Sequence, residues 1–309
     1  MRIVSLLPAA TEIVAALGRV DDLVGISHEC TYPESVNDKP RVTACEIYQS
    51  ELPGAAIDKW VSDRLARGED LFTLDEQLLR TLRPDLILTQ RLCDVCAPAY
   101  GSVVAMAATL PGPPQVVNLE PSTLADIFAN IKTVAELTGA VDAGRDLLRS
   151  LSERVEFVRR ASSTAPCKPR VAVLEWLDPV FCSGHWTPEL VEIAGGTEVL
   201  GTPARDSIRK TWDEVVRSEP EIVIVACCGH SAQRARRDWE KISLRLDLES
   251  IPAIRAGRLF FADGNAYFSR PGPRVVDTLE ILAEIIHPEL FAGRFPSRGI
   301  MHLCNAPLS

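Results

Sequence analysis

The chain has 309 residues, enough for two domains or one large one with an ample core. Hydrophobic residues make up 46% and charged residues 24%, an ordinary globular balance that excludes a disordered chain. With 33 Lys+Arg against 42 Asp+Glu the net charge is -9, which argues against nucleic acid or an anionic membrane face as partner.

A strand over Arg2 to Leu6 leads into a helix from about Ala9 to Leu17 and a second strand over Leu23 to Ser27. Pro8 and Glu12 break the first apolar run, so no secretory signal is read there. The expectation is a cytoplasmic protein, or a periplasmic one if the chain is a processed form. Further on come a strand over Leu86 to Gln90, a helix in AYGSVVAMAATL and a strand over Gln115 to Leu119. From Ser122 no strand signal appears: one helix ends at Gly139, and a second runs from Val141 to Ala161 with its apolar stripe at Leu147, Leu148, Leu151, Val155 and Val158. That helix is roughly 30 Å long at 1.5 Å per residue.

After the linker SSTAPCKP the alternation restarts with strands over Arg170 to Trp176, Ile222 to Cys227 and Arg258 to Phe261, and a last helix from about Pro273 to Ile286. Continuous apolar strands alternating with helices predict an α/β protein with mainly parallel sheets. LLRTLRPDLILTQ (78–90) echoes VVRSEPEIVIVAC (215–227) as a helix end, a Pro, an acidic residue and a buried strand. Two similarly built lobes follow: an N-terminal lobe over 1–120, a helical connection over 121–169 and a C-terminal lobe over 170–309. No run reaches the ~18 apolar residues of a membrane span.

Thiols and imidazoles cluster just after predicted strands: His28 and Cys30, Cys93 and Cys96, Cys182 and His185, Cys228 and His230. Ligands of open α/β sheets bind outside the carboxyl ends of strands, so lobes that face each other there would edge one cleft with all eight. Nine cysteines are an odd number and too sparse for a disulfide scaffold; Cys45, Cys167, Cys227 and Cys304 read as structural. The CDVC pair, Cys93 and Cys96, has the spacing of a redox pair or of half a tetrahedral metal site, with burial as an inert pair the competing reading. Tyr32, Trp176, Trp186, Tyr267 and Phe268 lie at or beyond strand ends and could wall a large planar ligand, the alternative being core packing. Arg270 and Arg274 could pair with ligand carboxylates or phosphate. GxGxxG after the first strand, GxxxxGK[ST], HExxH and GxSxG are all missing, which removes weight from nucleotide, zincin and α/β-hydrolase chemistry.

The opening RIVSLLPAATEIVAALGRVDDLVGISHECTYP resembles the start of the helical-backbone (class III) substrate-binding proteins of ABC importers, which carry cobalamin, haem and iron-siderophores. The resemblance continues through LRPDLILTQ, SGHWTPELVEIAGG and NAYFSRPGPRVVDTLEILAEIIHPELF, and LTQRLCDVCA points to the cobalamin-binding-protein-like branch. It implies two α/β lobes joined by one long helix, a ligand held in a cleft between them, modest closure and an ABC permease as partner. Neither a signal peptide nor a lipobox cysteine is read at the N-terminus, a departure from that pattern.

Two functions of different class follow. One is a non-catalytic binding protein for cobalamin or another tetrapyrrole, with Pro8, His28, Tyr32, Gln90, Trp176, His185, Trp186, Tyr267, Phe268 and Arg270 as the ligand-binding set and His28 or His185 as axial ligand to the metal. The other is a metal- or thiol-dependent enzyme on the same scaffold, with zinc or iron held by Cys93, Cys96, His28 and Cys30. A bound corrinoid or haem is coloured and zinc is silent, so visible absorbance separates the two.

Overall fold

A computed structural model describes residues 1–47, 50–91, 98–244, 248–296 and 298–302. The chain divides into two compact units, the first Met1–Leu52, Ala56–Pro121 and Ala125–Ser150, the second Pro53–Ala55, Ser122–Leu124 and Leu151–Ser309.

In the first unit β1 (Ile3–Ser5) is followed by α1 (Pro8–Ala16), β2 (Leu23–Ile26), the short antiparallel pair β3 (Thr43–Ala44) and β4 (Thr73–Leu74) flanking α2 (Gly54–Ala66), whose first two residues count with the second unit, then α3 (Glu76–Leu82), β5 (Leu86–Thr89), α4 (Tyr100–Ala108) and β6 (Gln115–Asn118). Four strands form a parallel sheet in the order β2-β1-β5-β6. Ile3, Val4, Ile87 and Leu88 are fully buried on both faces, which is why these strands read as unbroken apolar runs. Pro8 opens α1 at a position whose N–H needs no helical partner, and Gly18 at φ +73 stops it. The core gathers Val4, Leu6, Leu79, Ile87, Val103 and Leu110.

Beyond α5 (Leu124–Leu137), Gly139 at φ +68 turns the chain into α6 (Val141–Ser162), the helix read from the sequence over 141–161. Residues up to Ser150 are counted with the first unit and those from Leu151 with the second, where Leu151, Val155 and Val158 are buried.

The second unit runs β7 (Arg170–Leu177), β8 (Val180–Cys182), α7 (Thr187–Ile193), β9 (Thr197–Glu198), α8 (Trp212–Arg217), β10 (Ile222–Val225), α9 (Ala232–Ser243), α10 (Pro252–Arg255), β11 (Leu259–Phe261), a π-helical turn Gly264–Phe268, α11 (Val275–Ile286), α12 (Pro288–Phe291) and β12 (Met301–His302). Its sheet has the order β12-β11-β10-β7-β8, with β9 also on β7. β7, β10, β11 and β9 pair in parallel, while β8 and β12 pair antiparallel and make the sheet mixed.

The echo between 78–90 and 215–227 has a structural cause. In each, a helix ends on a residue in left-handed conformation, Arg83 at φ 44 and Glu219 at φ 43, followed by Pro84 or Pro220. The acidic residue after it then bonds the first strand of its own sheet: Asp85 accepts from the Arg2 N–H at 2.7 Å and Glu221 from the Arg170 N–H at 2.8 Å. Each carboxylate thus satisfies a main-chain donor at the start of a neighbouring strand. No helix among the described residues is long and apolar enough to cross a membrane.

Candidate functional site

In the first unit Pro8, His28 and Gln90 follow the carboxyl ends of β1, β2 and β5, and Tyr32, 47% exposed, lies farther along the loop after β2. His28 is anchored twice on Thr43: its N–H donates to Oγ1 at 3.0 Å, and its Nδ1 lies 2.7 Å from the same atom. Because Thr43 Oγ1 donates to Ser27 Oγ at 3.1 Å, the ring proton belongs on Nδ1 and the lone pair on Nε2. Burial, helped by the positive charge of Arg41, lowers the His28 pKa to about 4, so the imidazole is neutral near pH 7. Cys30 is turned into the core, its Sγ 3.0 Å from Thr11 Oγ1. Cys93 and Cys96 lie outside the described residues. Among the described residues no three His, Cys, Asp or Glu side chains come together to hold a metal ion.

In the second unit the rings gather at the carboxyl edge of the sheet. Trp176, near the end of β7, donates its Nε1–H to the Asp178 carbonyl at 3.2 Å and tilts against the His230 ring at 4.9 Å between centroids. His230 Nδ1 lies 3.5 Å from Asp238 Oδ2, which takes a tighter bond from Arg234 Nε at 2.8 Å. Asp238 was not legible in the chain except as an i,i+4 partner of Arg234.

His185 sits at φ 52 with its Nε2 3.4 Å from Asp206 Oδ1 and its ring 5.7 Å from that of Trp186. Burial lowers its pKa against the opposing pull of Asp206. Tyr267 belongs to the π-helical turn and carries the Arg274 guanidinium 5.5 Å above its ring.

Three residues read as ligand walls or anchors sit inside the second unit. Trp186 is 7% exposed at the start of α7, and Phe268 is 2% exposed beneath the π-helical turn. Arg270, 3% exposed, donates Nε to the Asn265 carbonyl at 2.5 Å and Nη2 to Asn265 Oδ1 at 3.1 Å, so it clamps that turn from within. The buried thiols are not activated: burial pushes Cys227 well above its ordinary pKa, with Asp238 adding to the rise, and burial also raises Cys182.

The loop bearing His185 is gripped by two carboxyls. Glu175 accepts from Ser207 Oγ at 2.5 Å and from the Gly184 N–H, and Glu198 accepts from the N–H groups of Leu200 and Gly201 at 3.0 and 3.1 Å. A Cβ on Gly184 would stand 2.3 Å from Ser207 N and 2.6 Å from Arg205 O. Gly184→Ala is therefore expected to force this loop apart at a cost of about 1–3 kcal/mol, read as a lowered urea midpoint. An unchanged midpoint would show that the backbone here gives way freely.

A model of the periplasmic binding protein family matches residues 3–266. The chain belongs to the periplasmic binding protein family. It is 21% identical over 280 residues to a vitamin B12-binding protein of Vibrio cholerae serotype O1, covering 90% of this chain and 86% of that one. An uncharacterised ABC transporter substrate-binding lipoprotein of Bacillus subtilis is 22% identical over 297 residues, 94% of this chain and 81% of the relative. The solved apo form of a periplasmic heme-binding protein from Roseiflexus sp. RS-1 superposes with a TM-score of 0.70 at 20% identity, covering 93% of this chain and 98% of that one.

These relatives correct the cytoplasmic placement expected from the N-terminal residues. A periplasmic binding protein with a substrate-binding lipoprotein among its relatives points outside the cytoplasm. The resemblance carried by the opening segment and SGHWTPELVEIAGG holds at the level of the family, and so does the α/β class. The role that goes with a periplasmic binding protein is binding, not catalysis.

Proposed function

We propose that this periplasmic binding protein holds a corrinoid or related tetrapyrrole metal chelate, without chemistry of its own, for delivery to an ABC permease. The observation that carries the reading is the ring-rich carboxyl edge of the second sheet, where Trp176 and His230 pack at 4.9 Å beside an open cavity. Indole and imidazole faces supply contact area at small entropic cost, which suits a large rigid macrocycle. His28 and His185, both with lowered pKa, present neutral imidazoles near pH 7, the form that binds a chelated metal. The vitamin B12-binding and heme-binding relatives support the ligand class.

Titration with cyanocobalamin and with haem tests it. Either is expected to quench the fluorescence of the five tryptophans saturably, and Trp176→Phe to reduce the amplitude. No saturable quenching by both ligands in the apo protein rejects the reading.

A further inference from the structure

The cavity beside Trp176 has a volume of about 100 Å³, and every residue around it is counted with the second unit. Trp176, Leu177 and Ile242 supply apolar walls, and His230, Asp238 and Lys241 supply polar groups. Gly54 keeps it open on one side, since a Cβ there would stand 3.1 Å from both Trp176 Nε1 and the Asp178 carbonyl. The indole N–H is already given to Asp178, so Trp176 offers its ring face.

Asp238 and Lys241 decide the chemistry. Arg234, which does not line the cavity, fixes Asp238 through Oδ2, while Lys241 Nζ lies 3.5 Å from Oδ1. That is longer than the roughly 2.7–2.9 Å of a tight charge-assisted bond. The Lys241 side chain is 63% exposed and can adjust. A ligand carboxylate entering here meets Asp238, and a ligand ammonium meets Lys241, so either charge is opposed by one neighbour. A primary amide satisfies both: its carbonyl accepts from Lys241 and its NH₂ donates to Asp238. The volume agrees, because a cavity of roughly 150 Å³ takes a benzene ring, and about two-thirds of that leaves room for about four heavy atoms, an acetamide arm.

We propose that this cavity takes a primary-amide arm of the ligand and so selects a macrocycle bearing amides over one bearing carboxylates. The inference rests on the tetrapyrrole reading: corrinoids carry acetamide and propionamide arms, whereas haem carries propionates.

The test compares dicyanocobinamide with dicyanocobyrinic acid, the same corrin with its amides as free carboxylates, by calorimetric titration of the full chain. Wild type is expected to prefer the amide form by about tenfold or more. Lys241→Ala should weaken cobinamide binding by about tenfold and narrow the preference, and Lys241→Arg, which keeps a donor, should restore most of it. Equal affinity of wild type for the two corrins, or a Lys241→Ala variant that behaves as wild type, overturns the inference and leaves the tetrapyrrole reading standing. Binding of neither corrin nor haem rejects that reading instead. The cavity is then probed alone with propionamide, propionate and propylammonium, following the indole N–H resonance that Trp176→Phe removes. A saturable shift with the amide alone supports the amide site; no shift, or equal shifts with all three, overturns it.

Discussion

Glu280→Ala is expected to cost the protein about 3–5 kcal/mol, the loss typical of breaking a buried ion pair by removing one partner. Glu280, on α11, is 6% exposed and accepts from Arg154 Nε and Nη2 at 2.8 and 2.7 Å and from Arg298 Nη2 at 2.6 Å. Asp277 joins the same pair of arginines at 2.5 and 3.0 Å. Two guanidinium groups are thus balanced by two carboxylates, and α6, α11 and the segment leading to β12 are tied at one point. Burial opposes the Arg154 charge, yet the bonds to Glu280 and Asp277 raise its pKa above the ordinary value. Removing Glu280 leaves one carboxylate against two cations with little water to replace it. Urea denaturation reads the loss, and Glu280→Gln, which keeps the shape and one acceptor, should lose less. A loss below about 1 kcal/mol for the alanine variant would place the network among weak surface pairs. Amide exchange at β11 and β12 should rise in the same variant, because Arg298 anchors the approach to the β12 edge strand.

The second large effect is a pH dependence with an unusual sign. Burial raises Glu175 and Glu198 from 4.5 to about 7, against the hydrogen bonds from Ser207 and Gly184 in the one and from Leu200 and Gly201 in the other. A carboxyl whose pKa is higher in the folded than in the unfolded chain binds its proton more tightly when folded. Its contribution is therefore fully present below about pH 4.5 and is lost as pH rises through about 7. The full shift corresponds to about 3 kcal/mol per group as an upper bound. His28 acts in the opposite sense: its pKa lies below that of the unfolded chain, so its contribution is lost as pH falls from 6.5 towards 4. The difference between wild type and Glu175→Gln/Glu198→Gln, taken at each pH, isolates the carboxyls. The double variant should match or trail wild type at pH 4.5 and gain on it steadily to pH 8. Parallel stability curves across that range would mean that the two carboxyls titrate normally.

Much of the architecture was legible because it rests on local chemistry. Unbroken β-branched runs mark strands buried on both faces, and they recur as β1, β5, β7 and β10. The stripe at Leu151, Val155 and Val158, with Gly139 before it, carried α6. The two Pro-acidic-strand echoes reported a shared turn geometry at Arg83 and Glu219. The strands β8, β9 and β12 left no pattern, since two or three residues hold no periodicity and are defined by their partners.

The placement of His28 after β2 and of Cys228 and His230 after β10 was readable for the same reason, but their roles were not. Tyr267 and Phe268 are adjacent in one π-helical turn, yet one reaches the surface and the other is core. Cys30 and Arg270 both read as site residues in the chain, yet the structure sets them against Thr11 and Asn265.

Strand identity, helix ends and family membership thus came from residues close together in the chain, because backbone dihedrals and side-chain period act over a turn or a strand. The grouping of Gly54, Trp176, His230, Asp238 and Lys241 around one cavity came from packing alone. Trp176, His230, Asp238 and Lys241 are brought together by the pairing of β7 with β10 and by the seating of α9, and burial and charge compensation depend on such distant neighbours rather than on spacing along the chain.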